Sequence, residues 1–308
     1  MNHEHFMHHC IRLAQKGRGL VGTNPLVGSV LVRDQKIIAE GVYMGARKPH
    51  AERKLLEKLD QKISTEDVLY VNLEPCCHHG NTPPCTDIII ERGIQTVVIG
   101  MKDPDARVAG QGTKTLQDAG IKVIGPVLPD LCRRLNRGFV SLRENKRPYI
   151  TLKRAQTKEG VTANIDGTKL CITSDAQNIW SHTYLRTTHD AILVGVQTVI
   201  VDNPELTIRH TLEVDILQPI KIILDPDLRI PHDAKLIDSN TIIITKEEAQ
   251  PIGEALVVTV SIINDHFDFD ALWKIVPSIS SILVEGGQKT WDMFTDAGCI
   301  DEEVILIG

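Results

Sequence analysis

Residues 68–93 read VLYVNLEPCCHHGNTPPCTDIIIERG, and their reading decides the fold. Val68 to Val71 is apolar without alternation, the pattern of a strand buried on both faces, and Pro75 stops it. Pro83 and Pro84 then open a helix that ends before Gly93, proline at the first turn and glycine past the last. A strand, a loop and a helix in this order are the repeating unit of a parallel, helix-covered sheet.

The same grammar extends in both directions. Upstream, FMHHCIRLAQKG has helical spacing and stops at Gly17, VGSVLVRDQKIIAEGV is a hairpin turning at Asp34 and Gln35, and HAERKLLEKL is a short amphipathic helix starting near His50. Downstream come the strand TVVIGM, the helix GTKTLQDAG and the strand IKVIG. Near residue 145 a polar, proline-punctuated link, RENKRPY, separates a second α/β series. Its strands are YITLKRA, HDAILVG, PIKIILD, NTIIITK, ALVVTV, SISSILVEGG and EEVILI, and its clearest helices are SDAQNIWSHTYLRT and QKTWDMFTDAG. The expectation is an α/β protein of two domains, residues 1–145 and 146–308, which suits a chain of 308 residues.

A net charge of −6 and a pI near 6.1 are the wrong sign for a protein that binds nucleic acid through its phosphates. No apolar run reaches membrane-spanning length, and the first residues lack the apolar core of a signal peptide. A cytoplasmic protein is expected, with no nucleic-acid or membrane partner, whose seven cysteines are thiols or metal ligands rather than disulfides.

The loop 72–85 crowds three cysteines and two histidines together, and PHAER at 49–53 gives them a purpose. His50, Cys76 and Cys85 supply one imidazole and two thiolates. Three protein ligands leave a fourth tetrahedral position open, the arrangement of catalytic zinc. Cys85, opening a helix, gains thiolate character from the helix dipole. Glu52, two residues after the histidine and not a ligand, is placed to shuttle protons. The competing reading is a closed structural site, with Cys77, His78 or His79 as a fourth ligand, or a buried thiol cluster. The order H-x-E, P-C, C is the general signature of zinc deaminases of nucleobases, although eight residues separate Cys76 from Cys85 where two are usual.

That longer spacing narrows the match. PHAE, LEPCCHHGNTPPC, TNPLVGSVLV and DPDARVAGQGTKTLQDAG together resemble the bifunctional deaminase/reductase of riboflavin biosynthesis, from Met1 to the last residue. The resemblance implies a cytidine-deaminase-like three-layer N-terminal domain with one Zn²⁺, in which Asn24 and His78 contact a phosphorylated pyrimidine substrate. Cys77 stands where the family commonly has serine. Tyr43 stands where histidine is common, Asn81 where arginine or lysine is common, and Arg47 where glycine is usual. Cys10, Cys132, Cys171 and Cys299 read as buried packing thiols.

The second series has no G-x-G-x-x-G after its first strand, which removes a Rossmann domain. LVEGGQKTW is a strand, a glycine pair and a helix, a junction able to hold a phosphate on backbone N–H groups. With LKRAQTKEG, DAILVGVQTVIVDNPELTIR and IKIILDPDLRIP it resembles the reductase half of the same family, which implies a dihydrofolate-reductase-like fold and NADPH. On that resemblance Ala155, Cys171, Thr198, Asp202, Gly286 and Gly287 hold the cofactor. Arg186, Leu206, Arg209, Glu285 and Lys153 meet the substrate, with Lys153, Asp202 and Glu285 converging at the reacting sugar. The bland alternative makes Lys153 and Glu285 strand-end charges and Arg186 a helix-surface charge. Thr157 and Cys171 depart from the family's Ser-x-Asp-Gly and tryptophan.

The activity expected is zinc-dependent hydrolytic deamination of a phosphoribosylamino-diaminopyrimidinone, then NADPH-dependent reduction of the ribosyl group to ribityl, in a homo-oligomer. The rival readings are an active deaminase joined to a non-functional reductase, a deaminase acting on nucleic-acid bases, and a zinc-stabilised binding protein. The family continues past a strand like EEVILI, so a C-terminally shortened reductase half that reduces poorly is also expected.

Overall fold

The computed structural model describes residues 2–79, 82–106, 108–162, 172–209 and 217–308. Asn81 and Cys171 lie outside them. The chain divides into two compact units, Met1–Lys146 and Arg147–Gly308.

In the first unit the helix α1 (His3–Ala14) precedes the hairpin β1 (Gly28–Arg33) and β2 (Lys36–Val42). Asp34 and Gln35 turn that hairpin at φ 48° and 60°, the left-handed pair its twist demands. Next come α2 (Ala51–Glu57), β3 (Val68–Val71), α3 (Cys85–Glu91), β4 (Thr96–Ile99), α4 (Gln111–Asp118), β5 (Lys122–Ile124), α5 (Pro129–Leu135) and α6 (Arg137–Glu144). The sheet order is β2-β1-β3-β4-β5, antiparallel through β2, β1 and β3 and parallel from β3 to β5. All four residues of β3 are buried, because helices cover both faces, as the continuous apolar run requires. Phe6, Met7, Leu31, Leu55, Tyr70 and Ile89 share the core around it.

The second unit opens with β6 (Tyr149–Gln156) and α7 (Asp175–Trp180), then β7 (Ala191–Gly195), α8 (Val196–Asp202), β8 (Ile220–Leu224), β9 (Thr241–Thr245) and β10 (Leu256–Thr259). A small hairpin, β11 (Ile262–Ile263) and β12 (His266–Phe267), precedes α9 (Phe269–Ile275), β13 (Ser281–Val284), α10 (Gln288–Asp296) and β14 (Glu302–Ile307). The order β10-β9-β8-β7-β13-β6-β14 is parallel throughout. The strand β6 therefore lies between β13 and β14, in register Ser281↔Tyr149 on one side and Glu302↔Thr151 on the other.

Two elements differ from the sequence reading, and a third has no assignment in it. Arg143 and Glu144 of the polar link belong to α6, so the link is only residues 145–148. The stretch SDAQNIWSHTYLRT is not one helix: α7 starts on a Ser174/Gln177 capping box and gives way to a π-turn at Ser181–Leu185 and a 3₁₀ turn at Arg186–Thr188. Val196–Asp202, VQTVIVD, is a helix despite five β-branched residues; packing of Val196 and Val199 into the core overrides their intrinsic preference. Cys10, Cys132 and Cys299 are buried, as expected of packing thiols. Among the described residues no helix is long and apolar enough to cross a membrane.

Candidate active sites

The first site is assembled from three chain segments. His50 is the N-cap of α2, Cys76 follows β3, and Cys85 is the first residue of α3. The α3 terminus closes on Cys76: the Cys85 N–H donates to Cys76 Sγ at 3.3 Å and the Thr86 N–H to the Cys76 carbonyl at 3.1 Å. Arg53 on α2 donates to the Pro84 carbonyl, tying the two helices together beside the cysteines.

His50 Nδ1 lies 3.5 Å from Cys76 Sγ and 3.4 Å from Cys85 Sγ, and the three donor atoms all lie within 4.8 Å of one another. Zinc bonded to nitrogen at ~2.05 Å and sulfur at ~2.3 Å in a tetrahedron needs an N···S edge of roughly 3.6 Å. The donors thus fit zinc in both kind and spacing. Cys77, His78 and His79 contribute nothing to this group among the described residues.

Hydrogen bonds from the Cys85 thiol and then from His50 draw the Cys76 thiol down to about 4, while the hydrogen bond to Cys76 and burial push Cys85 up. Glu52 is 3% exposed. Burial first, and the neighbouring Cys76 second, push its carboxyl up to about 7.

These groups open on a cavity of about 520 Å³, lined by Asn24, Tyr43, His50, Glu52, Cys76 and His78 among others, a volume suited to a small molecule. Asn24 donates from Nδ2 to the Val21 carbonyl at 3.0 Å, so it both shapes the turn and faces the cavity. Tyr43 sets its ring edge-on to His50, with centroids 5.3 Å apart at 81°.

Sequence reasoning missed the opposite wall. Asp103, Asp105, Val108, Phe139 and Arg143 complete the cavity, and Glu74 fixes the segment that carries three of them. The buried Glu74 carboxylate accepts the N–H groups of Asp103, Gly110 and Thr113 at 3.1, 2.9 and 2.8 Å. Gly112 passes so close that an added Cβ would sit 2.0 Å from the Pro75 carbonyl oxygen. The acidic residue one place before Pro75 in LEPC is the available signal, but its partners are backbone amides some 30 residues away.

In the second unit Arg186 and Glu285 form a buried pair: Nη2 and Nε donate to Oε2 and Oε1 at 2.6 and 3.1 Å. Arg186 Nη1 donates to the Thr207 carbonyl at 2.7 Å. Arg186 is therefore not a helix-surface charge, and its fork is engaged by the protein itself. Burial raises the Glu285 carboxyl, but Arg186 and then Lys153 more than offset it and bring the group to about 2. Lys153 and Glu285 thus share one electrostatic neighbourhood, while Ala155 lies two residues further along β6. Leu206 is buried at φ 51°, a left-handed conformation costly for leucine. Arg209 is exposed, its guanidinium on Glu205 at 3.2 Å. Thr198 and the exposed Asp202 lie on α8. Gly287 is the N-cap of α10, and an added Cβ there would meet nothing within 4 Å among the described residues; a helix N-terminus of this kind is where a phosphate can be held on backbone N–H groups. Cys171 is outside the described residues.

Residues 1–101 match the cytidine and deoxycytidylate deaminase zinc-binding region, and residues 148–308 match the RibD C-terminal domain. The chain is 39% identical to the riboflavin biosynthesis protein RibD of Aquifex aeolicus over 99% of its own length and 86% of that protein's. It is 34% identical to RibD of Escherichia coli over 100% and 88%. A crystal structure from Thermotoga maritima, described as a diaminohydroxyphosphoribosylaminopyrimidine deaminase/5-amino-6-(5-phosphoribosylamino)uracil reductase, superposes with a TM-score of 0.84 at 38% identity, covering 96% of this chain and 84% of that one. RibD of Acinetobacter baumannii superposes with a TM-score of 0.87 at 30% identity, covering 99% and 86%.

Proposed function

The chain belongs to the RibD family of riboflavin biosynthesis, bifunctional enzymes that join a zinc-dependent deaminase to an NADPH-dependent reductase, and from that premise we propose how its own residues divide the work. The deaminase domain is residues 1–145 and the reductase domain residues 146–308. The first removes an amino group from a phosphoribosylamino-diaminopyrimidinone, and the second reduces the ribosyl group of the product to ribityl. Thiols rather than disulfides suit the cytoplasm.

The observation that carries this reading is the trio His50, Cys76 and Cys85 with the buried Glu52 beside it, of which His50, Cys76 and Glu52 line one cavity. Zinc held by the trio supplies Lewis acidity that brings the pKa of water towards neutrality. Glu52 accepts the proton of the attacking water on a carboxylate oxygen and returns it to the departing ammonia. A buried carboxyl raised from its ordinary value holds a proton more readily than an exposed one, which suits a proton carrier. Asn24 and His78 line the substrate side. Tyr43 packs edge-on against His50.

In the reductase domain NADPH supplies the hydride. Ala155, Cys171, Thr198, Asp202, Gly286 and Gly287 are assigned to hold it. Lys153 and Glu285, with Asp202, are assigned to the reacting sugar, Leu206 and Arg209 to the substrate. Arg186 contributes by fixing Glu285 rather than by a free fork. Incubating the protein with the phosphoribosylamino pyrimidine, with and without NADPH, tests the reading by product mass. Loss of an amino group without NADPH and a further gain of two hydrogens with it are expected; an unchanged mass in both overturns it.

A further inference from the structure

The segment that meets the substrate in the reductase reading is held by side chains from elsewhere. Between Leu206 and Arg209 three successive residues have backbone groups tied down. The Thr207 carbonyl accepts from Arg186 Nη1 at 2.7 Å. The Ile208 N–H donates to Gln218 Oε1 at 2.7 Å. The Arg209 N–H donates to His182 Nδ1 at 3.2 Å. Leu206 at φ 51° stores strain that persists only where the surroundings over-determine the backbone.

Two of those ties come from one turn. His182 lies in the π-turn Ser181–Leu185 and Arg186 follows it directly. Both side chains reach the 207–209 backbone, and both are at least nine-tenths buried. Single π-turns recur at functional sites. Arg186 also grips Glu285, so one turn links the carboxylate assigned to the sugar with the segment assigned to the rest of the substrate.

We propose that His182 is a positioning residue of the reductase: its Nδ1, by accepting the Arg209 N–H, holds residues 206–209 where Leu206 and Arg209 can receive the pyrimidine substrate. The proposal rests on the reductase reading above. It requires Nδ1 to carry the lone pair, so the ring proton of the neutral imidazole sits on Nε2. Arg209 is exposed and its guanidinium meets only the equally exposed Glu205 among the ion pairs of the described residues, so the backbone tie is what anchors its charge to the buried part of the domain.

The test compares wild type with His182→Leu, which removes the acceptor, and His182→Asn, whose amide oxygen stands close to where Nδ1 was. Reductase KM for the deaminated pyrimidine, KM for NADPH, reductase kcat and deaminase turnover are measured, with hydrogen exchange at the Arg209 amide. The Leu variant is expected to raise KM for the pyrimidine about tenfold, the equivalent of one hydrogen bond, with kcat and KM for NADPH within about threefold and deaminase turnover unchanged. The Asn variant is expected to return most of that loss, and Arg209 exchange to rise in Leu and not in Asn. Equal loss in the Leu and Asn variants, a fall confined to kcat, or an Arg209 amide equally protected in all three proteins would overturn the role of His182. A wild-type chain that deaminates but reduces nothing, with Arg209 protection still dependent on His182, would instead overturn the reductase reading and leave the tie as a purely structural one.

Discussion

Glu52 carries the sharpest consequence at the scale of single residues. Glu52→Gln keeps size and burial and removes the proton carrier, so turnover of the deaminase should fall by roughly 10²–10⁴ while zinc content stays near that of wild type. Steady-state rates and metal analysis check it together. The ligands divide similarly: Cys85→Ser should abolish zinc binding and Cys77→Ser should leave it, since only the first belongs to the donor group. Glu285 makes a statement about acid. Its carboxyl ordinarily titrates at 4.5 and in the fold at about 2, so its contribution is complete above pH 4.5 and is lost as pH falls towards 2. The difference corresponds to about 3 kcal/mol. Glu285→Gln should therefore flatten the acid limb of the second unit's unfolding curve, measured by near-ultraviolet circular dichroism. His50, Cys76 and Cys85, which the structure brings together, could be picked out beforehand from residue type, spacing and the zinc-deaminase signature they match, and Glu52 with them. The Arg186–Glu285 pair could not, because a charge at a strand end looks the same in sequence whether it meets water or a buried partner.

Among elements, the ones read correctly owe their legibility to period. The hairpin β1–β2 and the run from β3 through α3 announce themselves by apolar continuity, turn residues and proline. VQTVIVD does not: its β-branched residues favour a strand, and only the contacts of Val196 and Val199 make it a helix. The break in 174–187 was invisible too, since a π-turn has no sequence period of its own. The segment 103–113, quoted upstream only as a motif, turns out to be a cavity wall hung on Glu74. Removing that carboxylate's charge should loosen the wall before it disturbs the metal. Glu74→Gln is expected to lower the first unit's stability by about 3 kcal/mol, the scale of hydrogen bonds to a charged group, and to raise the deaminase KM with zinc retained. Chemical denaturation and metal content measure the two; loss of zinc in step with stability would mean that Glu74 serves the ligand loop instead.

For the whole molecule, the sandwiching of β6 between β13 and β14 has a consequence for synthesis. All five strands of the first unit's sheet are present once residue 124 has been made. The second unit's opening strand has both of its neighbours between Ser281 and Ile307. At ~5–20 residues per second, β6 waits roughly 6–25 s for a neighbour while the intervening strands emerge. A nascent chain therefore carries a finished first unit and an unpaired, aggregation-prone strand together, and chaperone demand falls on one half only. Chains stalled on the ribosome after Ser280 should yield a protease-resistant fragment ending near Lys146, with the remainder digested. Equal resistance of both halves would show that β7, β8 and β9 form a stable sheet before their first strand is seated.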